Sequence, residues 1–173
     1  MPAYNSKFND KAVEEVCGMA VLPLKTKLKG PMPIQHSDDE DIVDEAIKLF
    51  RANVMMAAFQ VKGSADRVTI FLTLFISQCL KRLEKANNSM QAEKIMFDLA
   101  HEKFPVPGDK GWLLGGHIPS PKTRKEDEAL KAYLSVLREE TTLRLVPKVF
   151  PDGKPNKFFL AFAKKKFMNI HIV

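Results

Sequence analysis

The segment over residues 64–86, SADRVTIFLTLFISQCLKRLEKA, constrains this chain more than any other. From Val68 to Leu80 thirteen residues pass without a charge, and nine of them are Val, Ile, Leu, Phe or Cys. A membrane-crossing helix needs roughly 20 apolar residues, and here Asp66, Arg67, Lys81 and Arg82 close in from both sides. A soluble, nearly buried element is the reading that fits. Val68, Ile70, Leu72, Leu74 and Ile76 alternate with Thr69, Thr73 and Ser77 as a strand would, but Phe71 and Phe75 break the alternation, and the run is too long for one strand. Wound as a helix, Thr69, Thr73 and Ser77 fall at i, i+4 and i+8 as one narrow stripe of small side chains. The rest of the circumference is apolar, the pattern of a helix enclosed by several neighbours. Ser64 is the expected N-cap, with Asp66 at the positive end and the basic residues of 81–85 at the negative one.

A chain of 173 residues is expected to form a single domain over 1–173, with an extended arm over 1–36 and a helical body over 37–173. The fold class read from the pattern is all-α: a multi-helix domain around the 64–86 helix, with long loops. Cys17 and Cys79 are too few for a disulfide scaffold, and Cys79 falls inside the buried helix, so both read as free thiols in a reducing compartment. The opening MPAYNSKFND lacks the basic-then-apolar pattern of a signal peptide, which points to the cytosol or nucleus. The net charge of +6 is unevenly spread: residues 144–173 hold seven Lys or Arg and one acid, so the whole excess lies there. Such a segment calls for an anionic partner, whether nucleic acid, membrane or an acidic protein face.

Taken in order, the arm is cut by Pro23, Gly30, Pro31 and Pro33. Leu24, Thr26 and Leu28 alternate with Lys25, Lys27 and Lys29, which fits a short edge strand or a strap, laid either on the chain's own core or on a partner. Ser37 and Glu40 have capping-box spacing and predict a helix over 37–59. The acids at its start are read as dipole partners and not as metal ligands. Asn88 or Ser89 caps a helix over 90–103 that buries Ile95, Met96, Leu99 and also Met90. A long loop follows, and it carries Trp112, the only tryptophan, which must pack on the core or on a partner. Thr123 and Glu126 form a second capping box and open a helix to Thr141, with Leu130, Tyr133, Leu134 and Leu137 inward and Glu126, Glu128, Lys131, Arg138 and Glu139 outward. Pro147, Pro151, Gly153 and Pro155 then read as an irregular connection. In the tail, Phe158, Phe159, Phe162 and Ala163 fit a helical stripe, followed by Lys164, Lys165 and Lys166.

Catalytic patterns are missing. His36, His101, His117 and His171 are scattered, and none forms an i, i+4 metal pair or lies near a cysteine. Gly115-Gly116 lacks the strand and helix that flank a phosphate loop, and there is no nucleophile elbow or zinc-protease motif. No enzyme, cofactor, metal or small-molecule substrate is expected. The basic aromatic tail admits a nucleic-acid reading, with lysines on phosphates and phenylalanines stacking on bases. It equally admits a docked helix with a solvated lysine face.

The ordered set of short motifs resembles one family. Pro2-Ala-Tyr4, Gly18-Met-Ala-Val-Leu-Pro23, Lys29-Gly-Pro31, Asp41-Ile-Val-Asp-Glu-Ala46 and Ala52-Asn-Val54 come first. Ala65-Asp-Arg67, Cys79-Leu80, Phe104-Pro-Val-Pro-Gly108, Ala132-Tyr-Leu134, Leu143-Arg-Leu145, Lys148-Val-Phe150 and Phe167-Met-Asn169 follow. Together they resemble subunit 3, the 21-kilodalton subunit, of the actin-related protein 2/3 complex. The chain departs from that pattern at Met55-Met56 and Phe158-Phe159, where the family carries aromatic pairs and tryptophans, and at Thr142, where it carries a helix-ending glycine. Residues 110–122 and 170–173 match poorly. The resemblance implies a non-catalytic, all-helical subunit of the assembly that nucleates branched actin filaments. It implies a place against actin-related protein 3 beside the other subunits, with actin filaments as a direct or indirect partner. It also implies the cytoplasm and the cytoskeleton, including cortical actin and cell projections, and no nucleic acid or membrane partner. Exposure, charge and apolar content mark Leu24, Lys25, Lys27, Leu28, Trp112, Phe158, Phe159, Lys164, Lys165 and Lys166 as the expected interface.

Overall fold

In the computed structural model, which describes residues 3–173, the chain is mostly helical. Its α-helices are α1 Ile42–Asn53, α2 Ser64–Leu83, α3 Ser89–His101, α4 Arg124–Val149 and the short α5 Lys157–Leu160, with a small hairpin, β1 Glu15–Val16 and β2 Met19–Ala20, ahead of them. Helix α2 packs against α1, β2, α3, α4 and the 3-10 turns of the C-terminal segment. Every residue from Val68 to Leu80 is buried except Gln78. The stripe of Thr69, Thr73 and Ser77 is buried too, and the Thr73 hydroxyl is satisfied locally by donating to the Thr69 carbonyl at 2.7 Å.

The start of α2 is capped differently from the expectation. Gly63 holds the N-cap position with no side-chain cap of its own, and Ser64 is the first helical residue. The cap comes instead from the arm: Asn9 Oδ1 accepts the Asp66 N–H at 3.1 Å, at the place where a Gly63 side chain would stand. Asp66 is fully buried and returns the contact by accepting the Ser6 N–H at 2.7 Å and the Lys62 N–H at 2.9 Å. One carboxylate thus joins the helix dipole to the arm and to the preceding loop.

The β1–β2 hairpin turns through Cys17 and Gly18, both at positive φ (50° and 74°), the left-handed pair that a two-residue turn between twisted strands requires. Met19, Leu22 and Leu24 are buried. Tyr133 of α4 ties this stretch down: its hydroxyl donates to the Ala20 carbonyl at 2.8 Å and accepts the Leu22 N–H at 3.2 Å. The alternation over 24–29 forms no edge strand. Leu24 alone makes a parallel bridge, to Ile34.

Three helix boundaries move. Helix α1 begins at Ile42, not Ser37, because Asp41 is the cap and forms the capping box with Asp44. Residues 37–40 stay outside the helix, and the Gln35 side chain donates to the Asp39 carbonyl at 2.7 Å. The same helix ends at Asn53, short of Phe59. Helix α3 opens on the expected Asn88 cap, but Met90 is exposed rather than buried. Helix α4 runs on past Thr141 to Val149 with Pro147 inside it. Proline has no N–H to give to the carbonyl four residues back. That carbonyl belongs to Leu143, which lies on the exposed side of the helix, so the missing bond is not buried in the core. Thr142, expected at a helix end, sits inside the helix with its hydroxyl donating to the Glu139 carbonyl at 2.9 Å.

Arg138 is the other correction on α4. Expected on the solvent face, it is 5% exposed and lies between the rings of Phe75 and Phe104. The tail does not form one helix either. It breaks into α5 and two 3-10 turns, Ala161–Lys164 and Phe167–Asn169, with Met168 and Asn169 at positive φ. Phe159 stacks on Phe50 and Phe167 meets Phe59 edge-on, so these two rings close the core beside α1.

Candidate partner-binding surface

The face formed by the arm, α3 and α4 is built around Arg144. Its Nη1 donates to Asp41 at 2.6 Å and to Asp44 at 3.1 Å, and its Nη2 donates to the Lys25 carbonyl at 2.7 Å and to Glu140 at 3.2 Å. Asp41 also accepts the Lys25 N–H at 3.0 Å, so one guanidinium and one carboxylate fix the arm to α1 and α4. Burial works against the charge on Arg144, but the Asp41 hydrogen bond and the charges of Asp41, Asp44 and Glu140 outweigh it and hold the guanidinium above its usual range. Burial likewise raises the Asp44 carboxyl, yet the Lys25 ammonium, the Asp41 N–H and Arg144 bring it below the usual carboxylate range.

Beside this anchor lies an open groove of about 930 Å³. One wall is the arm, with Lys27, Leu28 and His36; the others are Met96, Phe97 and His101 of α3 and Leu143 and Pro147 of α4. Phe97 and Leu143 are 63% and 67% exposed, although large apolar side chains normally turn inward. His101 is pinned there, with Nδ1 2.8 Å from the Phe97 carbonyl and Nε2 2.7 Å from Glu139. A groove floored by apolar groups and rimmed by lysines and carboxylates suits a protein segment.

The expected interface residues divide in two. Leu24 and Phe159 are buried in the chain's own core. Lys25 is engaged with Asp44. Lys27 and Leu28 line the groove. Trp112 stacks on Phe71 with ring centroids 6.5 Å apart and donates from Nε1 to the Gly115 carbonyl at 3.3 Å, so it covers α2. Phe158 is 66% exposed, with the Arg51 guanidinium 5.7 Å from its ring centre. Lys164, Lys165 and Lys166 are exposed and form no ion pair among the described residues. The structure does not bring groove and tail into one patch.

Sequence reasoning missed the groove, although Phe97 carried a signal, since it lies off the Ala92, Met96, Leu99 and Ala100 stripe that α3 buries. Arg144 carried a weaker one, being four residues beyond Glu140. Among the described residues there is no cluster of three metal-ligating side chains, and no helix is long and apolar enough to cross a membrane. Burial pushes the Cys17 thiol up to about 12, helped by Glu126, and pushes the enclosed Cys79 thiol up as well, the direction of inert thiols.

Residues 1–172 match the family model described as P21-Arc, the ARP2/3 complex ARPC3 (21 kDa) subunit. The chain belongs to this family. It is 43% identical to actin-related protein 2/3 complex subunit 3 of Arabidopsis thaliana, over 98% of this chain and 99% of that one. The subunit 3 proteins of Dictyostelium discoideum and Saccharomyces cerevisiae are 41% and 39% identical, each over at least 96% of both chains. Family membership extends through residues 110–122 and almost to the end, where the short motifs run out.

Proposed function

We propose that this chain is a non-catalytic structural subunit of the actin-related protein 2/3 complex and supports the nucleation of branched actin filaments. The observation that carries this reading is the match along residues 1–172, together with relatives of the same printed name that align over nearly their whole length. In this reading residues 1–173 act as one folding unit, α2 is the axis that the other helices enclose, and residues 1–36 are a strap. The partners are the other subunits, with actin-related protein 3 as the neighbour, and the place of work is the cytoplasmic actin cytoskeleton, including cortical actin and cell projections. The Phe97–Leu143 groove, Lys27, Leu28, Trp112, Phe158 and the lysines 164–166 serve as contact surfaces.

Support for a binding role comes from the exposed apolar side chains of Phe97 and Leu143, held side by side on α3 and α4. The nucleic-acid alternative is weaker, because Phe159 is buried, Phe162 is partly buried, and the exposed ring of Phe158 is already met by Arg51 and, edge-on, by Phe162. Affinity purification of the tagged chain from its own cells tests the proposal. Recovery of the actin-related subunits in equal amounts is the expected result. A chain recovered alone, with steeply salt-dependent retention on polyanions, overturns it.

A further inference from the structure

Behind the Trp112 loop, a separate cavity of about 310 Å³ lies between α2, the segment after α3 and residues 171–173. Its lining is largely aromatic and apolar, with Phe71, Leu74, Phe75, Phe104 and Trp112, and Arg138 lies among them. The Arg138 guanidinium is 4.5 Å from the ring centres of both Phe75 and Phe104, so its plane is clamped between two faces. Nη2 donates to the Leu99 carbonyl at 2.6 Å, while the buried Nε has no partner. Glu102, the one acidic side chain in the lining, is held by Arg82 at 3.1 Å; Gln78 and Arg82 also donate to the Val173 backbone oxygen at 3.0 and 3.5 Å, and the other titratable side chains there are Lys103 and His171. A buried guanidinium with no ion pair and an orphaned N–H is unfavourable and calls for an explanation.

We propose that this cavity receives a carboxylate carried on an apolar peptide segment of a partner protein. The clamped guanidinium offers Nη1, which makes no hydrogen bond among the described residues, to a carboxylate, and the aromatic walls cover the apolar body around it. A carboxylate brings a single charge into a lining that is largely aromatic and apolar, which suits it better than a doubly charged phosphate. The volume matches the small end of ligand cavities, roughly 300 Å³. The site is distinct from the groove and the tail, so its failure leaves the assembly proposal standing.

Trp112 is the only tryptophan and lines the cavity, so its fluorescence reports occupancy. The test titrates the full chain with acetyl-Phe-Glu-Phe-amide, with the same peptide carrying Gln in place of Glu, and with phenylacetate. The glutamyl peptide is expected to bind saturably and at least about ten-fold more tightly than the glutaminyl one, the value of one charge-assisted hydrogen bond. Arg138→Met should abolish the difference. If that variant does not fold, the two-peptide comparison on the unaltered chain still decides. Equal binding of the two peptides, or no response to either up to roughly 10 mM, overturns the site. Tighter binding of phenylacetate than of the glutamyl peptide overturns its assignment to a peptide.

Discussion

Arg144 and Asp41 meet at 2.6 Å although 103 residues separate them, and through this contact α4 grips both the cap of α1 and the arm. The Asp41 side chain is fully buried and that of Arg144 is 17% exposed, so neither charge can fall back on water if the other is lost. Arg144→Met should therefore lower the unfolding free energy by about 3–5 kcal/mol, the usual result of breaking a buried pair. Lys48→Ala, which breaks a pair at a 61% exposed side chain, should change it by less than about 1 kcal/mol. Urea unfolding of the two variants side by side checks the contrast; equal losses would contradict it.

The same cluster sets an acid limit. The Asp44 carboxyl is held below its unfolded value, which is about 3.9. A carboxyl depressed in the folded state stabilises the fold fully above the unfolded pKa, and that contribution is lost as pH falls through the folded one. Melting temperature should therefore hold steady from pH 7 to about 5 and fall below about 4. Asp44→Asn should flatten that acid fall, as differential scanning fluorimetry across pH would record.

Tyr133→Phe removes one hydroxyl and leaves the Ala20 carbonyl and the Leu22 N–H without their shared partner. With Tyr133 fully buried, no water replaces it, and the expected loss is about 1–3 kcal/mol. Hydrogen exchange should show faster opening of the 19–24 backbone than of α2. Uniform acceleration over the whole chain would mean that the hydroxyl does not act locally.

Lys164, Lys165 and Lys166 are exposed, so replacing all three with Glu should change stability by only a few tenths of a kcal/mol per site. Recovery of the complex should fall far more than the melting temperature does. An unchanged yield of intact complex would remove the tail from the contact surface.

Local signals made part of this fold readable. The Asn88 and Thr123 caps, the inward face of α4 and the buried run of α2 depend on residues a few positions apart. The errors arose where a distant partner overrode a local preference. Ser37 lost the cap of α1 to Asp41 because Asp41 is also fixed by Lys25 and Arg144. Arg138 lies inward because two rings from other segments clamp it, and no spacing within α4 encodes that. Pro147 stayed helical because the carbonyl it frees lies at the surface. Of the proposed contact surface, the lysine tail was visible as a charge excess, but the groove needed three separated segments side by side.

The ties on the arm also set a timetable for synthesis. Met19, Leu22 and Leu24 leave the ribosome early, yet Tyr133 and Arg144, which fix this stretch, follow 113 and 119 residues behind Ala20 and Lys25. At about 5–20 residues per second, that is a wait of roughly 6–24 s before the two anchors of this apolar segment exist. Arrested nascent chains ending before Tyr133 should be cut by protease near residues 19–24, whereas chains extended past Arg144 should resist. For that interval the growing chain lacks the two side chains that fix a stretch whose apolar side chains the finished protein buries.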